Sequence, residues 1–152
     1  TRVAFGREDA PPAELADAVA ASCAIPGFYH PVTIGGRRYV DGGVYSSTSA
    51  DLLAGEPLDE VLVLAPMAGA APLVRPRSAG EALDLGARRL MHRRLLAEVA
   101  ALRRAGLTVR VFTPTAADRE AMGTNPLSPK HRIATFEAAL RSGPARVAAA
   151  LA

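Results

Sequence analysis

A long amphipathic stretch between two short apolar runs constrains the fold of this chain more than any other feature. Residues 60–66 and 108–112 are rich in Val and Leu, as is typical of strands buried in a parallel sheet. Residues 79–105 have apolar side chains at helical spacing and predict a helix long enough to connect two parallel strands. We therefore predict an α/β fold with helices on both faces of a mostly parallel sheet.

The long helix predicts two different surfaces. We expect one packed apolar face, formed by Leu83, Ala87, Leu90, Met91, Leu95, Val99 and Leu102. We expect the arginines of the same segment to form a solvated face, with contact to anionic lipid head groups as the alternative. These arginines are Arg88, Arg89, Arg93, Arg94, Arg103 and Arg104.

Shorter patterns predict the remaining elements. A strand is expected at residues 2–5, and a helix at 13–24 whose packed face contains Leu15, Ala18, Val19, Ser22 and Cys23. Two glycines between residues 32–34 and 37–40 indicate a β-hairpin. Short helices are expected at residues 48–53 and 116–122, and loops at 67–77 and 123–127. A last helix should begin at Ser128-Pro129 and break at Ser142-Gly143-Pro144.

Composition limits the classes of function. The chain has 152 residues, and its formal net charge is only +3, so no nucleic-acid partner is expected. Cys23 is the sole cysteine, which excludes an intrachain disulfide and is compatible with a cytoplasmic location. No apolar run has the length of a membrane span. The chain starts without Met, inside a predicted strand, so we expect it to be part of a longer protein.

Asp41 is the main candidate for chemistry, because it ends the predicted hairpin and precedes Gly42 and Gly43. Carboxylates are uncommon in strands, and the glycines allow another segment or a ligand to approach closely. By itself this pattern is most simply explained as an Asp-Gly turn that caps the next helix. The catalytic interpretation depends on the surrounding residues.

Two segments together resemble the patatin-like phospholipases. The first is Ala20 to Phe28, a small-residue helix end of the form Ala-Ser-x-Ala-x-Pro, and the second is Tyr39 to Val44, which contains Asp-Gly-Gly. The later stretch Phe112-Thr113-Pro114-Thr115, with Asp118, Met122-Gly123, Asn125 and Pro129, is similar to bacterial members of this group. The resemblance extends from Thr1 to about Leu140.

The resemblance implies a lipid acyl hydrolase with a Ser-Asp dyad. In this family the serine attacks an ester carbonyl and the aspartate takes its proton directly. The implied base is Asp41, with Gly42 and Gly43 shaping the approach to it. The reaction requires hydrogen-bond contact between carboxylate and hydroxyl, and amide donors for the oxyanion. The implied substrate is a lipid or phospholipid, and neither a metal nor another cofactor is implied.

The nucleophile of the family is missing from the sequence. It lies in a Gly-x-Ser-x-Gly segment upstream of the aspartate, beside a glycine-rich oxyanion loop. The serines of this chain are Ser22, Ser46, Ser47, Ser49, Ser78, Ser128 and Ser142, and none is in such a segment. Ser46 and Ser47 are expected to be capping residues. The resemblance therefore implies that residues 1–152 are the C-terminal part of a single patatin-like domain, whose N-terminal segment carries the serine.

Other nucleophiles and metal sites are less well supported. Cys23 and His30 could form a Cys-His pair with Asp41 as the orienting group, but Cys23 is expected to be a small core residue. His92 and His131 are among arginines, and no histidine pair has the spacing of metal ligands.

We therefore expect a three-layer α/β/α patatin-like fold and a hydrolase that is inactive as this chain alone. Peripheral contact with a membrane is compatible with this function. The alternative is a degenerate domain without catalysis, which has a binding or regulatory role.

Overall fold

The computed structural model describes residues 1–69, 78–123, 125 and 128–151. Within it the chain divides into two compact units, Thr1–Ser49 and Ala50–Ala152. We refer to them as unit 1 and unit 2. The expected loops at 67–77 and 123–127 fall mostly on residues 70–77, 124, 126 and 127, which are outside the described residues. None of the described helices is long and apolar enough to span a membrane.

Unit 1 contains helix α1 (Leu15–Ser22) and a hairpin of β1 (Val32–Ile34) and β2 (Arg37–Tyr39). The strands are antiparallel, with Ile34 opposite Arg37. Gly35 and Gly36 have φ values of +55° and +76°, as a two-residue turn with both central residues in the left-handed region requires. The predicted hairpin is thus confirmed, and a 3₁₀ turn (Gly42–Val44) follows it.

Two predictions in unit 1 are wrong. Residues 2–5 do not form a strand, although Phe5 packs against the ring of Tyr39 with centroids 5.0 Å apart. Helix α1 does not bury the predicted face, because Leu15 and Val19 are exposed while Ala21 is buried. Ala24, just beyond the helix, is also buried. The small side chains at the end of the helix allow the neighbouring backbone to approach closely. The packed side of α1 is therefore the side with the small residues and not the side with the larger Leu15 and Val19.

Unit 2 is built on the predicted strand–helix–strand motif. Strand β3 (Glu60–Leu64) is parallel to β4 (Thr108–Phe112), and α2 (Ala79–Arg104) connects them. The core of this unit contains Val61 and Val63 of β3, Val109 of β4, and Leu95, Val99 and Leu102 of α2. This arrangement is compatible with the predicted α/β class.

The second face of the β3–β4 sheet is largely open. Successive side chains of β3 alternate, so Leu62 and Leu64 point away from Val61 and Val63. Leu62 is 51% exposed and Leu64 is 70% exposed. A three-layer arrangement would require a helical layer on this face, so that feature remains a prediction.

Glu98 of α2 is 2% exposed, and its carboxylate organises the start of unit 2. Its Oε2 accepts a hydrogen bond of 3.0 Å from the backbone N–H of Ala50, at the start of the 3₁₀ turn Ala50–Leu53. Its Oε1 lies 3.4 Å from Nε of Arg94, which also contacts Asp51. The predicted short helix at residues 48–53 is thus a 3₁₀ turn, capped by a side chain that is distant in sequence.

Helices α3 (Ala116–Met122) and α4 (Arg132–Leu151) are joined through Asp118. Asp118 forms a capping box with Thr115, and its Oδ1 accepts a 3.0 Å hydrogen bond from Ser142. Arg146 lies 3.7 Å from its Oδ2 and donates to the carbonyl of Thr113. The backbone N–H of Thr115 is the largest cause that lowers the pKa of Asp118, followed by side-chain hydrogen bonds and Arg146, against the opposing effect of burial.

The predicted helix break at Ser142-Gly143-Pro144 is wrong, because α4 is continuous and contains Pro144. Proline removes one backbone hydrogen bond and usually ends or kinks a helix. Ser142 and Arg146, on either side of Pro144, both contact Asp118. We attribute the continuity of α4 to these two anchors.

The buried side of α2 also differs from the prediction. Leu95, Val99 and Leu102 are buried as expected, but Leu83 and Leu90 are exposed. Leu90 and Leu83 are five and twelve positions before the buried Leu95, about 140° and 120° around the helix from it, so they lie outside the buried side of α2.

We predict that Glu98→Ala lowers the free energy of unfolding by about 2–4 kcal/mol, because it removes a buried carboxylate and leaves the amide and guanidinium groups that contact it without this partner. Glu98→Gln retains an acceptor for Ala50 and should cost less. Urea denaturation measures both. The control is Glu137→Ala, which removes an exposed ion pair with Arg141 and should cost less than about 0.5 kcal/mol. Equal losses for Glu98→Ala and Glu137→Ala would contradict this role.

We predict that Asp118→Asn reduces the sensitivity of folding to acid. The folded-state pKa is lowered, so the stabilisation is present above the ordinary value of 3.8 and is lost as the pH falls through the folded value. At neutral pH the variant should lose about 1 kcal/mol. Denaturation midpoints between neutral and acid pH measure this effect. Asp59→Asn, which removes an exposed carboxylate of the same unit, should leave the acid dependence unchanged.

Candidate functional site

Asp41 lies between the end of β2 and the 3₁₀ turn Gly42–Val44, for which it is the N-cap residue. Its backbone N–H donates a 3.0 Å hydrogen bond to the carbonyl of Ala24, just beyond the end of α1. This bond joins the two segments on which the family resemblance is based. The backbone of Asp41 is therefore held from two directions.

The carboxylate of Asp41 makes a close contact with the glycine pair. Its Oδ1 accepts a hydrogen bond of 2.6 Å from the backbone N–H of Gly43. A Cβ atom at residue 43 would lie 2.9 Å from this oxygen, whereas one at Gly42 would meet no atom within 4 Å. In the described part of the chain, no side chain or backbone donor contacts Oδ2. Asp41 is thus a capping residue as the sequence indicates, with one oxygen still able to accept a proton or a hydrogen bond.

Asp41 also lines a cavity of about 760 Å³ that lies within unit 1. The apolar part of its wall comes from the N-terminal segment, α1 and the residues around the 3₁₀ turn. The guanidinium group of Arg2 lies 4.8 Å from the ring centroid of Tyr45, a cation–π contact within this wall. The polar residues that line the cavity are Thr1, Arg2, Ser22, Arg37, Arg38, Tyr39, Asp41 and Tyr45.

This cavity can hold a small amphiphilic ligand. Binding sites for small molecules are usually concave and mostly apolar, with a few polar groups that orient the ligand. A carboxylate at the wall can accept a proton from a hydroxyl group that is brought within hydrogen-bond distance. The geometry therefore permits general-base chemistry at Asp41.

The serines of the chain have different surroundings. Ser22 lines the same cavity as Asp41. Ser46 accepts backbone hydrogen bonds from Thr48 and Ser49 and so stabilises a turn that precedes the 3₁₀ turn Ala50–Leu53. Ser47 accepts no such bond in the part of the chain that the structure describes. Two other serines have structural roles, because Ser128 caps a 3₁₀ turn and Ser142 donates to Asp118.

Among the described residues, the side chains of Cys23 and His30 make no hydrogen bond to each other or to Asp41. Cys23 is exposed, so its prediction as a core residue is wrong: it is the C-cap residue of α1, beyond the buried Ala21. The ring of His131 lies against Gly123, where a Cβ atom would be 3.0 Å from Nε2. Within the described ranges, no cluster of three or more His, Cys, Asp or Glu side chains is placed to hold a metal ion.

Comparison with known proteins relates unit 1 to a lipid-hydrolysing family. A family model described as patatin-like phospholipase matches residues 1–54, about a third of the chain. Searches of curated proteins and of solved structures gave no match. The matched residues include Asp41 with its glycine pair and the residues that line the cavity. Unit 1 is thus similar to a family whose members are generally hydrolases that act on lipids.

Sequence reasoning missed several residues of this region. The cation–π contact of Arg2 with Tyr45 and the position of Ser22 in the cavity wall required three-dimensional information. Tyr39 was recognised only as part of a motif, but its hydroxyl is buried without a hydrogen-bond partner among the described residues. The alternation of side chains along β2 is the sequence feature that could have indicated the partial burial of Tyr39.

We predict that Gly43→Ala displaces the Asp41 carboxylate, whereas Gly42→Ala does not. The methyl group at residue 43 would collide with Oδ1, so the 2.6 Å hydrogen bond should break at a cost of about 1–2 kcal/mol. The downfield amide proton shift of residue 43, measured by NMR, should disappear only in Gly43→Ala. The same loss in Gly42→Ala, which introduces an equal methyl group into open space, would contradict this steric account.

Proposed function

We propose that this chain supplies the general base, Asp41, of a Ser-Asp dyad that hydrolyses lipid acyl esters. The observation that carries the proposal is the geometry of Asp41 inside the region similar to patatin-like phospholipases. One carboxylate oxygen is held by Gly43, and the residue lines a cavity of suitable size. A fixed carboxylate beside a cavity meets the first requirement of base catalysis.

The proposed reaction has two steps. In the first, Asp41 takes the proton of a serine hydroxyl while the serine oxygen attacks the ester carbonyl, and the proton passes to the departing alcohol. In the second, Asp41 takes a proton from water while the water oxygen attacks the acyl carbonyl; the bond to the serine oxygen then breaks, the proton passes from Asp41 to that oxygen, and the fatty acid leaves. Gly42 and Gly43 would shape the approach of the serine to Asp41.

We further propose that the nucleophilic serine belongs to polypeptide outside residues 1–152. The serines of this chain are not in a Gly-x-Ser-x-Gly segment, and several have the structural roles described above. Uncovered apolar surface supports an additional segment, because Leu62 and Leu64 of β3 are exposed on one face of the sheet. In this proposal the chain is the C-terminal part of a three-layer patatin-like domain.

We predict that the purified 152-residue chain does not hydrolyse a short-chain nitrophenyl ester or a phospholipid. Release of nitrophenol and of fatty acid measures this directly. If the chain alone hydrolyses the ester and Ser22→Ala abolishes this turnover, the nucleophile is Ser22 of this chain, with Asp41 as its base. That result would refute the proposed external serine.

In the longest polypeptide that contains this sequence, we predict that Asp41→Asn lowers the rate of ester hydrolysis by at least about a hundredfold, because the proton acceptor is removed. Asp17→Asn is the matched control, since it removes an exposed carboxylate from α1 in the same unit. It should retain the wild-type rate. If neither the wild-type protein nor either variant hydrolyses any ester substrate, the result favours the alternative function, a degenerate domain with a binding or regulatory role.

A further inference from the structure

The outer face of α2 has an unusual combination of exposed side chains. We define the arginine–leucine face as Arg89, Leu90, Arg93, Leu96, Ala97, Ala100 and Arg104, all of which are exposed. Each of the others is three, four, seven or eleven positions from Arg93, so they share one side of the helix. The face extends over about 22 Å at 1.5 Å per residue.

The leucines of this face are not part of the core. Leu90 is 68% exposed and Leu96 is 55% exposed, while Leu95 and Leu102 on the opposite side are buried. Single exposed leucines are common on protein surfaces. Leu90 and Leu96 are three positions before and after Arg93, so they lie about 60° to either side of it and border the arginines on both edges of the face. The sequence pattern assigns Leu90 to the core.

The charge on this face is positive. Arg89 and Arg93 form no ion pair with any side chain that the structure describes. The buried Glu98 is on the other side of the helix, where it binds Ala50. Nε of Arg104 donates a 3.2 Å hydrogen bond to the carbonyl of Ala100, which keeps this side chain along the face. The face therefore attracts an anionic partner.

We propose that the arginine–leucine face binds an anionic lipid surface, with α2 parallel to the membrane plane. Guanidinium groups would contact the phosphates, and the leucines would enter the boundary between head groups and acyl chains. Nucleic acid would satisfy the arginines but offer no apolar region for the leucines. This surface is in unit 2, so the proposal goes beyond the proposed hydrolase and does not depend on Asp41.

The composition of the face sets the expected selectivity. Helix α2 contains no Trp, Tyr or Phe, which are the usual anchors at a membrane interface. Two leucines give limited apolar attraction, so electrostatic attraction to negative head groups has to supply most of the binding. The expected behaviour is therefore strong preference for anionic over zwitterionic vesicles, and weaker binding at high salt.

Vesicle co-sedimentation of the chain tests the proposal. We expect binding to vesicles of phosphatidylcholine with phosphatidylglycerol and little binding to phosphatidylcholine alone. The double substitution Arg89→Gln with Arg93→Gln should weaken binding about thirtyfold, which corresponds to about 1 kcal/mol for each arginine. The double substitution Leu90→Ser with Leu96→Ser should weaken binding relative to wild type, and this loss should be larger at high salt, where electrostatic attraction is screened.

The matched control is Arg132→Gln with Arg141→Gln, which makes the same change in net charge at exposed positions of α4. This variant should bind nearly as wild type does. Circular dichroism verifies that each variant is folded. The proposal is overturned by absence of binding to anionic vesicles, by an equal loss in the α4 control, or by equal affinity for duplex DNA of matched charge.

Discussion

The contact between the Asp41 carboxylate and the Gly43 amide is the interaction on which the candidate site depends. At 2.6 Å it fixes one carboxylate oxygen, and it is possible because residue 43 has no Cβ atom. The backbone of the same aspartate binds Ala24, so the end of α1 and the end of the hairpin are joined at this residue. A common Asp-Gly turn therefore places the carboxylate of Asp41 at the wall of a cavity.

Unit 2 uses buried charge in a different way. Glu98 is enclosed in the core region and stabilises the backbone of Ala50, and Asp118 holds α4 through Ser142 and Arg146. Buried carboxylates are costly unless their oxygen atoms are satisfied, so these residues specify the packing of the elements around them. Neither carboxylate lines the cavity of unit 1. The proposed catalytic acid, Asp41, is thus in unit 1, whereas Glu98 and Asp118 are in unit 2.

Much of unit 2 could be predicted from sequence, because strongly periodic segments determine their own structure. The apolar runs of β3 and β4 and the long pattern of α2 are of this kind, and the glycine pair of the hairpin is an equally strong local signal. The errors occurred where tertiary contacts override local preference. Pro144 remains within a helix because its neighbours are anchored on Asp118, and Glu98 caps a turn 48 residues earlier in the chain.

The candidate site was partly predictable for the same reason. Asp41, Gly42 and Gly43 form a contiguous motif, and the structure explains why one glycine is sterically required and the other is not. The cavity could not be predicted, because its wall combines the N-terminal segment, α1 and the hairpin. The exposure of Leu83 and Leu90 could not be predicted either, since apolar positions at helical spacing do not show which of them reach the core.

Labelling with a serine-reactive fluorophosphonate tests the central claim most directly. The sample is the longest polypeptide that contains this sequence, and peptide mass spectrometry identifies the modified residue. The account predicts a single reactive serine outside residues 1–152, with a labelling rate that falls sharply in Asp41→Asn. Modification of a serine within residues 1–152, or a labelling rate that is unchanged in Asp41→Asn, would contradict it.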